Sequence, residues 1–344
     1  MSFLRFLIRL VVAGLLAVQA VAQPVSPAAH LPAYGADPRQ TSVSGLSSGA
    51  YMAVQLQVAY SDSIIGAGVI AGGPYYCAAN SIFFAEICMG QIPFVSPQAF
   101  LMANAARDFA QSHLIDPISN LGKRRIYVFS GTDDKIVRQS AVDATVSFFQ
   151  QVGVKTERLQ YVNKMPAGHA VITPGHGNDC SANVTPYISH CRIGNADYDQ
   201  AGALLQHIYG ALKPRVSTPT GQIVSFNQRD FAPRTTGMAD TGYLYVPPSC
   251  TPAGARCKVH VALHGCLQSQ ESVGKQFYTD TGYNNWADHN KILVLYPQVN
   301  KSEKPANPQG CWDWWGYTGK NYANKAGPQM AAIQSMVNRL TQQP

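Results

Sequence analysis

The run IGAGVIA at residues 65–71 contains no polar side chain. As a strand it must therefore be covered on both faces, the situation of strands in parallel sheets flanked by helices. The rest of the chain reads accordingly. A short strand ends at Ser44 and a helical pattern covers 48–60. A helix over 97–113, a strand over 125–129, a helix over 141–151, a strand over 157–162 and an amphipathic helix over 198–212 follow. The second half reads as strands over 222–226, 243–246, 259–263 and 292–296, with helices over 277–288 and 328–340. This alternation predicts an α/β fold with a mainly parallel sheet covered by helices on both faces.

The chain has 344 residues, 46% of them hydrophobic, which excludes a disordered or collagenous chain. No repeat, low-complexity tract or Pro/Ser/Thr-rich linker divides it, so residues 23–344 are expected to form one domain. Only 13% of residues are charged, about half of the ~25% usual for soluble proteins. Much of the wetted surface must then be uncharged polar, and such a surface can approach a neutral, insoluble partner at little desolvation cost. The formal charge of +7 is scattered. Its densest run, Lys123-Arg124-Arg125, reads as the solvated start of a strand. Without a basic stripe, finger spacing or RNP motif, nucleic-acid binding is not expected.

Arg5 and Arg9, the apolar run 10–18 and the Ala20-Val21-Ala22 triplet before Gln23 have the order of a secretory signal peptide. Cleavage after Ala22 would release a secreted protein, extracellular or periplasmic. The apolar run is shorter than the ~20 residues of a membrane-spanning helix, so no membrane partner is expected. In an oxidising compartment the eight cysteines should pair. Proximity in the chain suggests Cys77 with Cys88, Cys180 with Cys191, and Cys250 with Cys257, leaving Cys266 for Cys311. No C-x-x-C or H-E-x-x-H spacing points to zinc, so neither metal nor cofactor is expected.

The strongest chemical signal is Gly45-Leu46-Ser47-Ser48-Gly49, a G-x-S-x-G turn between a strand and a helix. There the glycines permit a sharp turn that lifts the middle serine above the sheet. Ser47 is the candidate nucleophile. A serine needs a base and a group to orient that base. Asp133 and Asp134 follow the strand ending at Phe129, and Asp134 fits the G-x-x-D-x-x-V pattern of an acid loop, leaving Asp133 as a capping or solvated carboxylate. His169 lies in a Gly168-His169-Ala170 turn after the next strand. The order Ser, Asp, His is that of the α/β-hydrolase scheme. His176, His190 and His207 have no strand-end context. His264, in Leu263-His264-Gly265-Cys266, resembles instead the HG loop that supplies oxyanion donors, with the N–H groups of Cys266 and Ser48 as the candidates. That loop normally precedes the nucleophile; here it follows, which predicts a circularly permuted α/β hydrolase.

The segments SGLSSGAY (44–51), Gly168-His169-Ala170, LHGCLQ (263–268) and GCWDWWG (310–316), in that order, resemble poly(3-hydroxybutyrate) (PHB) depolymerases with a permuted catalytic domain, including single-domain fungal forms. The likeness spans nearly the whole chain after the signal peptide. It implies a secreted serine hydrolase cleaving polyester polymer or its oligomers, with Ser47, Asp134 and His169 as triad, Ser48 and Cys266 as oxyanion donors, and a tryptophan-rich loop at the substrate. The chain shows no linker or separate substrate-binding domain, which points to amorphous polymer or oligomers ahead of crystalline polymer. A monomer is expected. Three of the four tryptophans, Trp312, Trp314 and Trp315, sit in one glycine-flanked loop, and the expectation is that they line the cleft rather than fill a core. Two alternatives are a carbohydrate esterase releasing feruloyl or acetyl groups, which uses similar HGC and Trp-rich segments, and an inactive polymer-binding protein. The complete triad argues against the second.

Overall fold

A computed structural model describes residues 29–344; the signal peptide expected at 1–22 lies outside the described residues. The chain opens with β1 (Thr41–Leu46), α1 (Ser48–Ala59) and β2 (Ile64–Ile70). Then come α2 (Ala85–Cys88), α3 (Ala99–Gln111), β3 (Arg125–Gly131), α4 (Gln139–Gln151) and β4 (Leu159–Met165). Two short strand pairs, β5 (Val171–Thr173) with β6 (Ile188–His190) and β7 (Arg192–Ile193) with β8 (Ala196–Asp197), precede α5 (Gln200–Tyr209). The second half holds β9 (Gln222–Asn227), β10 (Thr241–Val246), β11 (Lys258–Leu263), α6 (Gln270–Val273), α7 (Gln276–Asp280), α8 (Tyr283–Asn290), β12 (Ile292–Tyr296) and α9 (Pro328–Thr341).

Eight strands form one sheet in the order β4-β3-β2-β1-β11-β12-β10-β9. From β4 to β12 all neighbours are parallel, while β10 runs antiparallel to β12 and β9. Counted from β9 through β12 and on through β1 to β4, the strands lie in sequence apart from the exchange of β11 and β12. The first described strand therefore lies in the middle of the sheet, the circular permutation predicted from the motif order. Its two halves are joined by the β1–β11 pairing, with Val43 opposite Val261 and Gly45 opposite Leu263.

Alternation along β1 assigns the helices to faces. Ser42 and Ser44 point to one face, where their hydroxyls meet Tyr209 of α5 and Tyr283 of α8, both at 2.7 Å. Gly45 points to the other, where a Cβ would strike Gly49 and Ala50 of α1. Between the two serines lies His260 of β11, with Nδ1 2.7 Å from Ser42 Oγ and Nε2 2.8 Å from Ser44 Oγ. Burial pushes the pKa of His260 down to about 3, so it stays neutral and the hydroxyls satisfy both ring nitrogens, as buried polar groups require.

Two expected helices are shorter or divided. The pattern over 277–288 is split into α7 and α8, because Gly282 takes a left-handed conformation with φ 86°. The pattern over 198–212 becomes α5, started by Asp199, whose carboxylate accepts the Gly202 N–H at 2.9 Å, and stopped by Gly210 at φ 84°. All four cysteine pairs form as proximity suggested: Cys77–Cys88, Cys180–Cys191, Cys250–Cys257 and Cys266–Cys311.

The two halves meet closely where the first turn of α1 passes the end of β11: a Cβ on Gly49 would lie 2.3 Å from the Leu263 carbonyl oxygen. Both atoms belong to backbone, so neither can swing aside. Gly49→Ala should cost at least the ~1–3 kcal/mol typical of overpacking, read as a lower urea midpoint at unchanged slope. Gly265→Ala, whose Cβ would meet nothing closer than 3.4 Å, should unfold near the parent midpoint. A parent-like midpoint for Gly49→Ala would contradict the close approach.

Candidate active site

Ser47 sits between β1 and α1 with φ 57° and ψ −125°, a left-handed conformation costly for a residue with a Cβ. The surroundings hold it there. Its N–H donates to the Ile70 carbonyl of β2 at 3.0 Å, and its carbonyl accepts the N–H groups of Ala50 and Tyr51 at 2.8 and 3.0 Å. Gly45 and Gly49 are needed because their backbones pass where side chains would collide: a Cβ on Gly45 would lie 2.3 Å from the Gly49 carbonyl. The result is a strained elbow that presents the Ser47 hydroxyl above the ends of the strands. At the N-terminus of α1, the N–H of Ser48 has no intrahelical acceptor.

Asp134 follows β3 and His169 follows β4, both at the C-terminal ends of parallel strands, where α/β folds gather their sites. Asp134 Oδ2 lies 2.8 Å from His169 Nδ1. The other oxygen, Oδ1, accepts the N–H groups of Ile136 and Val137 at 2.8 and 2.9 Å. A carboxylate so occupied can only accept from Nδ1, so Nδ1 carries the proton and Nε2 is left with a lone pair. Both side chains are buried, 1% exposed for Asp134 and 4% for His169. Asp133 is half-buried, and it is Asp134 that makes the hydrogen bond to the histidine.

Asn183 was not singled out by its sequence, yet it ties the acid and base loops together. Its Oδ1 accepts the N–H groups of His169 and Lys135 at 3.1 and 2.9 Å, and its Nδ2 donates to the carbonyls of Asp133 and Ser181 at 3.1 and 2.9 Å. It belongs to the loop closed by Cys180–Cys191, as does Tyr187, whose ring meets His169 edge to face at 5.9 Å. That cysteine pair was the only signal in the chain that the loop is built rather than slack.

The segment after β11 comes up beside the elbow. The Gly265 N–H donates to Gln268 Oε1 and the Leu267 N–H to the Gln309 carbonyl, both at 2.8 Å. Among the described residues the Cys266 N–H between them makes no hydrogen bond. Ser47, Ser48, His169 and Cys266 line one cavity of about 100 Å³, walled by apolar and aromatic side chains that include Ile136, Tyr187 and Trp314. His176, His190, His207 and His264 are not among its lining residues.

The tryptophans divide. Trp314 lines the cavity and stacks on Tyr51 with ring centres 4.4 Å apart; Tyr51 is held by its hydroxyl, which donates to the Cys88 carbonyl at 2.7 Å. Trp315 stands edge-on to Trp314 at 5.4 Å and, against the expectation, is not among the residues lining the cavity. Trp312 corrects the expectation that all three line the cleft: it is fully buried, tilted against the His264 ring at 5.4 Å. The loop is sharply turned by Asp313, whose carboxylate accepts the N–H groups of Gly316, Tyr317 and Thr318 at 2.7, 3.0 and 2.8 Å. Neighbouring indoles are thereby sent in different directions.

A family described as Esterase PHB depolymerase matches residues 241–343. A poly(3-hydroxybutyrate) depolymerase of Delftia acidovorans is 46% identical over 92% of this chain, which spans 63% of that protein's length. A polyhydroxybutyrate depolymerase of Talaromyces funiculosus is 40% identical over 91% of this chain and 93% of its own length. The crystal structure of PHB depolymerase from Penicillium funiculosum superimposes with a TM-score of 0.82 at 39% identity, covering 91% of this chain and 98% of that one. A serine-to-alanine variant of a PHB depolymerase complexed with an R3HB trimer matches with the same TM-score and coverage at 38% identity. With a relative 40% identical over 93% of its length and others similar over nine-tenths of this chain, the chain belongs to the PHB depolymerase family of esterases.

Proposed function

We propose that this chain is a secreted serine esterase that hydrolyses the ester bonds of poly(3-hydroxybutyrate) or its oligomers. The observation that carries the reading is the convergence of a strained-elbow serine and a buried, carboxylate-oriented histidine on one cavity, in a chain of this family. Ser47 Oγ attacks the ester carbonyl as its proton passes to His169 Nε2, and Asp134 holds the ring and stabilises the imidazolium. The carbonyl oxygen becomes an oxyanion, received by the N–H groups of Ser48 and Cys266. Collapse breaks the ester C–O bond. The leaving alkoxide takes the proton from His169, and the acyl group remains on Ser47. Water then enters with His169 as base, and the same steps release a carboxylic acid and restore Ser47. Trp314 supplies an apolar wall for the aliphatic units of the substrate.

Two further observations support an insoluble, uncharged substrate and an oxidising location. Large apolar side chains stand exposed, among them Phe83 and Phe84 in the loop closed by the Cys77–Cys88 bridge and Phe94 and Phe100 after it in the chain, at 47% to 108% exposure. Four disulfides fit export, in line with the signal peptide expected at 1–22.

The discriminating assay compares release of soluble 3-hydroxybutyrate from amorphous polymer with release of ferulate or acetate from xylan substrates. The polyester should be hydrolysed and the xylan esters should not; the reverse would overturn the substrate assignment. Ser47→Ala should lower polyester hydrolysis by up to the ~10⁶-fold seen when a triad serine is removed, with the fold retained by circular dichroism. Ser48→Ala should be far milder, since its backbone N–H carries the role. A dead Ser48→Ala beside an active Ser47→Ala would contradict the register of the elbow.

The two adjacent aspartates give a second test. Asp134→Asn should cost roughly 10⁴-fold in turnover, as mis-orientation of a triad histidine does, while Asp133→Asn should stay near the parent rate. A large loss confined to Asp133→Asn would reverse the assignment.

A further inference from the structure

His264 lies outside the cavity, yet it is wired to the peptide that borders it. It is fully buried, packed against Trp312 and Phe277. Its Nε2 receives the Val299 N–H at 3.0 Å, and its Nδ1 lies 2.7 Å from the Gly265 carbonyl oxygen. A backbone N–H can only donate and a carbonyl can only accept, so the partners dictate the tautomer: Nε2 bare, Nδ1 protonated and donating. Burial pushes the His264 pKa down to about 4, so the ring remains neutral at ordinary pH and can serve both partners.

The Gly265 carbonyl belongs to the same peptide unit as the Cys266 N–H. That unit is planar, and in the trans form its C=O and N–H point in opposite directions. Holding the carbonyl against His264 therefore directs the Cys266 N–H away from His264. The Gly265 N–H is engaged by Gln268 and the Leu267 N–H by Gln309, so of the three N–H groups at 265–267 that of Cys266 is left for a ligand. We infer that His264 is a positioning residue that sets the rotation of the 265–266 peptide and so aims the Cys266 N–H at the developing oxyanion. This rests on the proposed role of that N–H in ester hydrolysis. The hydrogen bond into the carbonyl also polarises the peptide, strengthening the N–H as a donor in a site of low dielectric.

Two substitutions separate the halves of the histidine. In His264→Asn the side-chain amide N–H₂ can take the place of Nδ1–H and retain the bond to the Gly265 carbonyl. In His264→Gln the side-chain oxygen can take the place of Nε2 and accept from Val299, while the donor to Gly265 is lost. Measured on a soluble 3-hydroxybutyrate oligomer, His264→Gln should lose ~10²- to 10³-fold in kcat, the cost of removing one oxyanion donor, with KM within about twofold, because the donor acts on the transition state. His264→Asn should turn over at least about tenfold faster than His264→Gln. A purely structural histidine would predict equal thermal destabilisation in the two variants with kcat preserved, and that result would overturn the inference. If neither variant folds, ¹⁵N-histidine NMR of the unsubstituted protein decides. A His264 ring protonated on Nδ1 and bare on Nε2 from about pH 5 to about pH 9 supports it; the opposite tautomer overturns it. Ser47→Ala is run alongside. If that variant stays active, the proposed hydrolytic site has failed; if it is inactive while His264→Gln matches the parent kcat, only the positioning role has failed.

Discussion

The contact on which the molecule depends is a backbone-to-backbone approach: the first turn of α1, at Gly49, resting against the carbonyls of Leu263 and His264 at the end of β11. It occurs because β1 and β11 pair as parallel neighbours although they come from opposite halves of the chain. This joint brings the elbow after β1 beside the turn after β11, and so brings Ser47 and Ser48 beside Cys266. Below it, the buried Ser42–His260–Ser44 bridge ties the two strands through their side chains. Above it, the Cys266–Cys311 bridge anchors the second turn to the tryptophan-rich segment. Strain at Ser47 persists because the glycines, the Ile70 carbonyl and the N–H groups of α1 leave the residue no relaxed alternative.

Asp134 and His169 are brought together by a different device. Parallel strands β3 and β4 end side by side, so the loops that follow them meet, but loops alone would not hold a carboxylate and an imidazole at 2.8 Å. Two backbone N–H groups occupy one oxygen of Asp134, and Asn183 clamps both loops from a third. The 180–191 loop also touches the turn after β11, since Gln268 Nε2 donates to the carbonyls of Pro186 and Tyr187 at 2.9 and 3.1 Å. Through Asn183 and Gln268 a single disulfide-closed loop sets the position of Asp134 and His169 relative to the turn that carries Cys266.

Much of this is legible in the sequence alone. Buried strands such as β2 and β12 announce themselves as unbroken apolar runs, and the order of the GLSSG and HGC segments revealed the permutation because each motif has a fixed place in a hydrolase sheet. Asp134 could be separated from Asp133 by its spacing from Gly131 and Val137. What escaped was decided by contacts between distant segments. Asn183 is one of many polar loop residues until the loops of Asp133 and His169 are brought to it. The division of 277–288 required weighing one glycine, Gly282, against an otherwise helical pattern. Trp312 resembled its neighbours in composition, and only the turn around Asp313 sends it into the core beneath His264 while Trp314 faces the cavity.

The central claim is that one serine and two backbone N–H groups, brought together across the β1–β11 joint, form the reacting centre. A crystal structure of the protein inactivated by an alkyl phosphonate tests it directly, since the adduct is tetrahedral and carries an oxygen where the oxyanion would form. The account predicts phosphorus bonded to Ser47 Oγ with that oxygen within about 3 Å of the N–H groups of both Ser48 and Cys266. An adduct on any other residue, or a Ser47 adduct whose oxygen turns away from Cys266 into solvent, would contradict it.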